Sequence, residues 1–218
     1  MRDPDVLTVV GHRTVADVLR AGAERTPDRL LLVFDDLAGG VQEFTWKDVL
    51  ERSTSIATAL TGAGVSPGDY VHLHLPNRPE FIFHWFGCAL RGAVMVPTNV
   101  ASSVAELEYI LDHVGAVLSV TDCDGGDTVR AARDAAGLGG EVWQCEADLP
   151  SPPNGHPTEA AICDGDALSD LAVMYTSGTT SRPKGVRVTH ANYVFAGESV
   201  AAGLGLGPED RFLVVLPL

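Results

Sequence analysis

The sequence predicts an α/β fold with a mainly parallel sheet flanked by helices. Between Gly64 and Val120, short runs of β-branched and apolar residues alternate with longer amphipathic stretches, and the links between them are short. This strand–helix–strand–helix–strand order is typical of parallel strands whose connecting helices cover the faces of a sheet. A hydrophobic content of 45% with 20% charged residues also indicates a globular chain, because disordered segments contain fewer apolar residues.

Ahead of these strands, the pattern predicts two helices and a hairpin. Thr14 begins the first helix, with Asp17 three positions later as a capping partner. Strands follow at residues 30–34 and 42–45, and Thr45 then caps a second helix that runs to about Leu60. We see no chemistry in these elements and assign them to packing.

The part of the chain after Gly64 supplies the predicted sheet, with strands at residues 70–75, 93–96 and 116–120 and helices at residues 80–91 and from Ser103. The helix at 80–91 is apolar on nearly all sides, which predicts burial on both of its faces. The strand at 70–75 carries His72 and His74 on one face. Two histidines could bind a metal ion, but no third ligand follows at a useful spacing. Surface histidines, or histidines satisfied by hydrogen bonds, are therefore the favoured interpretation.

Charge and cysteine usage restrict the partners and the compartment. A net charge of −14 and a sequence pI near 4.7 argue against nucleic acid or an anionic membrane as a partner. The chain contains no run of 18 apolar residues, and its N-terminus is unlike a signal peptide, so we expect no membrane span. The four cysteines lie far apart without a C-x-x-C pair, which predicts reduced thiols in a cytoplasmic protein. The oligomeric state stays open.

The strongest chemical signal lies in residues 171–189, LAVMYTSGTTSRPKGVRVT. The apolar start, which ends at Thr176, predicts a buried strand, and the β-branched run from Val186 predicts a second strand. Between the two strands lie small residues rich in hydroxyl groups: Ser177, Gly178, Thr179, Thr180 and Ser181. Hydroxyl and backbone N–H donors with little side-chain bulk are the groups that a loop needs to wrap a phosphate chain.

The charge distribution favours an anionic ligand for this loop. None of the 29 acidic residues lies between Asp170 and Glu198, whereas Arg182, Lys184 and Arg187 all do. Only two of the 15 basic residues are lysines, so chance alone would seldom place a lysine in the loop. An ammonium group offers phosphate a compact point charge. A flexible polar hairpin is the structural alternative, and these coincidences weigh against it.

The loop does not fit the Walker phosphate-binding motif, which reads G-x-x-x-x-G-K-S/T between a strand and a helix. Here Pro183 stands in place of the second glycine, and proline has a fixed φ and no N–H to donate. Gly185 follows Lys184, so the hydroxyl that binds magnesium in that motif is missing as well.

The segment from Tyr175 to Val186 resembles instead the signature of the adenylate-forming superfamily, which includes acyl-CoA synthetases, luciferases and peptide-synthetase adenylation domains. Their consensus is close to Y/F/L-T-S-G-S/T-T-G-x-P-K-G-V/A, and only Ser181 departs from it. The stretch HLHLPNRPEFIFHWFGCALRGAVMVPTN is similar to the corresponding region of crotonobetaine/carnitine–CoA ligases. That branch also carries serine at the position of Ser181, which we therefore interpret as a mark of the subfamily.

The resemblance implies that the chain is the first part of the large N-terminal domain of an adenylate-forming enzyme. Residues 1–165 are expected to form an N-terminal α/β subdomain, and residues 166–218 the start of the nucleotide-binding subdomain, with the phosphate loop at 175–186. The composition of residues 145–167 predicts an exposed linker. The run RFLVVLPL at 211–218 predicts a strand. The rest of the family's length, including its mobile C-terminal domain, is expected to be absent from this chain.

The resemblance also implies an activity. Family members activate a carboxylate with MgATP, release pyrophosphate, and pass the acyl group from the acyl-adenylate to a thiol, usually coenzyme A. The residues expected to hold the ATP phosphates are Thr176, Ser177, Gly178, Thr179, Thr180 and Lys184. Thr176 is also expected near magnesium, together with an acidic residue outside this chain. We assign no catalytic residue within the chain and expect these 218 residues alone to be inactive as a ligase.

Two other functions stay open at this point. Some members of the superfamily activate other oxyanions, such as nitrite for diazo formation on amines, and these residues do not distinguish them from acid–CoA ligases. A truncated, non-catalytic nucleotide-binding module is the second alternative. The sequence identifies neither the small-molecule acid or oxyanion nor the acceptor, for which coenzyme A, a carrier protein and an amine are the candidates.

Overall fold

The computed structural model describes residues 10–145, 162–176 and 182–215. Its elements follow in this order: α1 (Val15–Arg25), β1 (Leu30–Asp35), β2 (Val41–Thr45), α2 (Trp46–Gly62), β3 (Tyr70–His74), α3 (Pro79–Arg91), β4 (Val94–Pro97), α4 (Val104–Val114), β5 (Leu118–Thr121), α5 (Gly126–Ala135), β6 (Val142–Gln144), β7 (Asp170–Thr176), β8 (Lys184–Thr189) and α6 (His190–Leu204).

Six of the described strands form the central sheet in the order β6-β5-β3-β4-β7-β8, while β1 and β2 form a separate antiparallel hairpin. The first five strands in this order, from β6 to β7, run parallel to one another, and β8 runs antiparallel to β7. The chain passes from β3 to β4 through α3, and then returns past β3 to β5 through α4. Because such crossovers are right-handed, the two opposite steps place their helices on opposite faces. The predicted α/β class with a mainly parallel sheet is confirmed.

The sheet divides the core into two parts. On one face, α2 and α3 pack against alternate residues of the central strands, which include Val71, Leu73 and Val120. On the other face, α4 and α5 pack together through a second cluster that includes Leu107, Leu111, Val129 and Ala132. This alternation along β3 and β5 is what a sheet covered by helices on both faces requires.

Helix α3 is buried as predicted, since nine of its 13 residues are buried. It lies unusually close to α2 at Gly87, where an added Cβ would come within 2.6 Å of Cγ2 of Ile56. The missing side chain of Gly87 thus allows the two helices to approach each other. Gly92 then ends α3 in the left-handed region at φ 75°, which glycine adopts without strain.

Side chains at the helix starts account for several element boundaries. Thr14, Thr45 and Ser103 each accept a hydrogen bond from the backbone of the third helical residue, and the acidic side chain there bonds back. The predicted starts of α1, α2 and α4 are therefore confirmed. The same arrangement joins Thr189 to Asn192 at the start of α6, a helix that the sequence patterns did not predict.

The prediction of a strand at residues 211–218 is wrong for residues 211–215, which are the part of this segment that the structure describes. Residues 211–215 belong to no strand, and the side chains of Phe212 and Leu213 are 72% and 83% exposed. A strand forms only where a neighbouring strand can pair with its backbone, and no described strand lies beside this segment. Residues 216–218 lie outside the described residues, as does most of the predicted linker, at 146–161.

Like α6, helix α5 and strand β6 were not predicted from the sequence. Helix α5 is short and has no side-chain cap, and β6 has three residues that are fixed by pairing with β5. Among the described helices, none combines the length and the apolar character needed to cross a lipid bilayer.

Candidate phosphate-binding site

The predicted phosphate loop connects β7 and β8, the last two strands of the sheet. These strands are antiparallel, and Thr176 lies directly opposite Lys184 at the end where the loop joins them. The first part of β7 is buried beside β4, whereas Thr176 and Lys184 are exposed. Two of the predicted binding residues therefore face each other across the mouth of the loop.

The alternation of side chains along β7 determines which way these two residues point. Tyr175 points toward α4, and Met174 points to the other side, where its sulfur accepts a hydrogen bond from Tyr193 of α6. Thr176 shares the side of Met174. Directly opposite residues of an antiparallel pair lie on the same face. Thr176 and Lys184 therefore project together from the side of the hairpin that faces away from α4.

Lys184 is the cation best placed to meet an anion at this mouth. Arg187 forms an ion pair with Asp170 at 2.6 Å. The guanidinium carbon of Arg182 lies 5.2 Å from the centre of the Tyr109 ring. Within the described parts of the chain, no acidic side chain forms an ion pair with Lys184. Both neighbouring arginines thus have partners on the described part of the fold, and no such ion pair is found there for the ammonium group of Lys184.

The glycine that follows Lys184 is needed for packing. A Cβ on Gly185 would lie 2.9 Å from Cγ1 of Val173 and 3.3 Å from Cζ of Tyr175. The Tyr175 ring therefore crosses β8 over Gly185, and its hydroxyl oxygen reaches Nδ1 of His113 on α4 at 2.5 Å. A side chain at 185 would therefore force Val173 to shift and would crowd the Tyr175 ring.

A family model described as AMP-binding enzyme matches residues 19–218 of the chain. The chain belongs to the AMP-binding enzyme family. Among curated relatives, crotonobetaine/carnitine–CoA ligase of Salmonella paratyphi A is 36% identical over 222 residues, which cover 97% of this chain and 43% of that protein. The corresponding ligase of Salmonella typhi is 34% identical with the same coverage. The chain thus spans about two fifths of the length of these relatives.

Solved structures of acyl-CoA synthetases share the fold. An o-succinylbenzoate–CoA synthetase from Bacillus subtilis in complex with AMP superposes with a TM-score of 0.78 and 26% identity, over 94% of this chain and 39% of that chain. A fatty acyl-CoA synthetase from Mycobacterium tuberculosis gives a TM-score of 0.66 and 27% identity, over 81% and 34% of the two chains. The family resemblance that the loop and the region around α3 predicted is confirmed.

The structure places part of the predicted binding set. Thr176 and Lys184 are described and lie together, as set out above. The other four predicted residues lie outside the described residues, as does the atypical Ser181; they are Ser177, Gly178, Thr179 and Thr180. No cluster of three or more His, Cys, Asp or Glu that could hold a metal ion occurs in residues 10–145, 162–176 and 182–215.

His72 and His74 are buried members of a chain of hydrogen bonds between β3 and its neighbours. Ser119 Oγ lies 3.1 Å from His72 Nδ1, and it accepts a bond from Arg133 of α5 at 3.0 Å. Thr98 Oγ1 lies 2.8 Å from both His72 Nε2 and His74 Nδ1. The interpretation as hydrogen-bonded histidines is confirmed, and a surface position is wrong. The sequence could not show this because the partners come from β5, α5 and the residue after β4.

Arg133 donates to Ser119, because a guanidinium has no acceptor. A neutral His72 ring donates from one of its nitrogens and accepts at the other, so one of the hydroxyls of Ser119 and Thr98 donates to the ring and the other accepts from it. Burial lowers the pKa of His72 to about 3, so the neutral ring that this network requires is the stable form.

His190 connects the hairpin to the N-terminal helix, and the sequence patterns did not single it out. It directly follows β8, is buried, and accepts a hydrogen bond at Nδ1 from the backbone N–H of Val15, at 3.2 Å. Burial lowers the pKa of His190 to about 4, against the opposing effects of Asp17 and Asp166. A neutral imidazole therefore joins the start of α6 to the start of α1.

We predict that His190 makes the fold sensitive to acid. Its pKa falls from 6.5 in the unfolded chain to about 4 in the folded chain, so the unfolded chain binds the proton more readily. The resulting stability is present above pH 6.5 and is lost as the pH falls toward 4. Between neutral pH and pH 5, this group should lower the free energy of unfolding by roughly 2 kcal/mol.

The test is urea unfolding of wild type and His190→Asn across this pH range. The amide oxygen of asparagine can accept the Val15 bond without titrating, so His190→Asn should remove most of that pH dependence. The other buried histidines are present in both proteins and cancel from the comparison. An equally steep pH dependence in a folded His190→Asn protein would contradict the assignment.

Proposed function

We propose that the chain supplies the ATP phosphate-binding hairpin of an enzyme that activates a carboxylic acid as an acyl-adenylate and transfers the acyl group to coenzyme A. One observation carries the proposal: the exposed Thr176 and Lys184 face each other at the mouth of a hydroxyl-rich hairpin, in a chain of the AMP-binding enzyme family. The names of the relatives, which are acid–CoA ligases, support a carboxylate as the substrate and coenzyme A as the acceptor.

In this proposal the hairpin holds the β- and γ-phosphates of ATP while a carboxylate attacks the α-phosphate. The hydroxyl and N–H groups of residues 177–180 serve as neutral donors, and Lys184 supplies the positive charge. Donors fixed before the reaction stabilise the charge that develops on the leaving pyrophosphate. The chain needs no general base for this step, because a carboxylic acid is already ionised at neutral pH.

A magnesium ion fits the same arrangement. Mg²⁺ keeps several of its waters and binds through substrate phosphates and one or two protein oxygens, so it requires no cage of protein ligands. Thr176 offers one hydroxyl oxygen at the mouth of the loop. We propose that Thr176 lies near the ion together with an acidic residue from outside this chain. When bound, the ion would neutralise phosphate charge.

The wider organisation follows the same proposal. Residues 1–165 would form the N-terminal subdomain and residues 166–218 the start of the nucleotide-binding subdomain, although β7 joins β4 in one continuous sheet. A reducing compartment such as the cytoplasm is consistent with four free thiols, at Cys88, Cys123, Cys145 and Cys163. The partners would be small molecules.

The proposal is tested by carboxylate-dependent ATP–pyrophosphate exchange in the full-length protein, with crotonobetaine, carnitine and o-succinylbenzoate among the acids. We expect exchange with at least one acid, and formation of its thioester when coenzyme A is added. Residues 1–218 alone should bind ATP without catalysing exchange. Exchange that occurs only with nitrite or another inorganic oxyanion would show that the carboxylate assignment is wrong.

The hairpin geometry predicts unequal roles for its two cations. A hydrogen bond to a charged group contributes about 1.5–3 kcal/mol, so Lys184→Ala should slow adenylation by about ten- to a hundredfold. Arg182→Ala should have a smaller effect, because its guanidinium lies over Tyr109. Exchange kinetics of both variants test this, with circular dichroism as the control for folding. If Arg182→Ala is impaired and Lys184→Ala is not, we have assigned the wrong cation to the phosphate.

A further inference from the structure

We propose that Tyr109 and His113 of α4 are positioning residues for ATP binding, because they hold the two ends of the phosphate loop against one helix. We call this pair the α4 clamp. The proposal rests on the function proposed above and adds to it the residues that keep the loop's donors in place. Neither residue belongs to the loop or to the motif by which the sequence identifies it.

Through His113, the clamp contacts Tyr175, where β7 leads into the loop. The Tyr175 hydroxyl lies 2.5 Å from Nδ1 of His113. Burial raises the pKa of Tyr175 to about 12, so the hydroxyl keeps its proton and can donate to the imidazole. Tyr175 immediately precedes Thr176, so this bond fixes the residue beside one side of the mouth.

Through Tyr109, the clamp contacts the end of the loop that leads into β8. The Tyr109 hydroxyl donates to the backbone carbonyl of Pro183 at 3.3 Å. The same ring carries the Arg182 guanidinium at 5.2 Å, a distance at which a cation is attracted to an aromatic face. Pro183 immediately precedes Lys184, so these contacts fix the residue beside the other side of the mouth.

The aromatic side chains form one connected group. Tyr109 and His113 are four residues apart on α4, and their rings stack with centroids 5.8 Å apart and planes inclined by 8°. Tyr175 stands edge-on to both rings, at 80° to Tyr109 and 77° to His113. A shift of either loop end would therefore disturb the contacts of the other end.

The clamp is anchored because α4 itself is fixed in the fold. Leu107 and Leu111 are fully buried against α5, and Ile110 packs on β4 and β7. The capping box at Ser103 secures the start of the helix. By contrast, β8 is the edge strand of the sheet and is exposed over most of its length. The sheet alone therefore holds the β8 end of the loop only weakly, and the contacts with α4 fix its position.

This arrangement has a consequence for binding. Donors that are already in position lose less conformational entropy when the phosphates bind, and this preorganisation raises affinity without a new contact to the ligand. The clamp also keeps the Arg182 side chain on the α4 side of the hairpin, opposite the side from which Thr176 and Lys184 project. Loss of the clamp should weaken ATP binding even though neither clamp residue contacts ATP.

The experiment compares Tyr109→Phe, Tyr109→Leu and Tyr175→Phe with wild type. Tyr109→Phe removes the bond to Pro183 and keeps the ring under Arg182, whereas Tyr109→Leu removes both. Tyr193→Phe is the matched control, because it deletes a tyrosine hydroxyl that bonds to Met174 on the other side of β7. For each protein we would measure amide hydrogen exchange at residues 175, 176, 184 and 185, the KM for ATP in pyrophosphate exchange, and the unfolding midpoint.

We expect Tyr109→Phe and Tyr175→Phe to speed amide exchange at these positions and to raise the KM for ATP, each by about two- to tenfold. Tyr109→Leu should have a larger effect than Tyr109→Phe, and Tyr193→Phe should leave both quantities unchanged. Unfolding midpoints close to that of wild type would show that the effects are local.

The two proposals fail in different ways. If none of the carboxylates supports ATP–pyrophosphate exchange by the wild-type protein, the proposed function is wrong. Amide hydrogen exchange at the loop ends then still decides whether the clamp exists. If the Tyr109 and Tyr175 variants keep wild-type amide exchange and wild-type KM, the clamp is overturned while the proposed function stands. An equal rise of KM in Tyr193→Phe would also overturn it, since any lost hydroxyl near β7 would then have the same effect.

Discussion

The antiparallel pairing of β7 with β8 is the contact on which the candidate site depends. Every other neighbouring pair in the central sheet is parallel, and parallel strands need a long crossover between them. An antiparallel pair can instead be closed by a short loop, whose two ends then lie side by side. Because the register sets Thr176 against Lys184, the same pairing brings a hydroxyl and an ammonium group to one mouth. The site is therefore a property of the sheet edge as well as of the loop sequence.

The residues around this hairpin leave the positive charge of Lys184 available to attract an anion. In a chain with net charge −14, an anion meets attraction only where acidic residues are absent and the basic ones are not already paired. Asp170 engages Arg187, and Tyr109 engages Arg182, so Lys184 is left to face the mouth. Helix α4 packs in the core on its other side and so connects the hairpin to the rest of the fold.

The sequence predicted the features that depend on residues close together in the chain. It missed those that depend on contacts between distant elements. The capping residues Thr14, Thr45 and Ser103 identify helix starts because each bonds to a residue only three positions away. Strand β6 was missed because its three residues are a strand only through their pairing with β5. In the same way, the partners of His72 come from separate elements, and the contact of Tyr109 with Pro183 spans 74 positions. No periodicity in the sequence reports such contacts.

Amide hydrogen exchange of this chain with and without MgATP tests the central claim most directly, that the β7–β8 hairpin binds the phosphates of ATP. The account predicts that MgATP slows exchange at residues 174–187 and that Lys184→Ala abolishes most of this protection. Inorganic pyrophosphate with magnesium should protect the same amides, because the contacts are to phosphate. Protection by MgATP that is confined to another part of the chain, or that is unchanged in a folded Lys184→Ala protein, would contradict it.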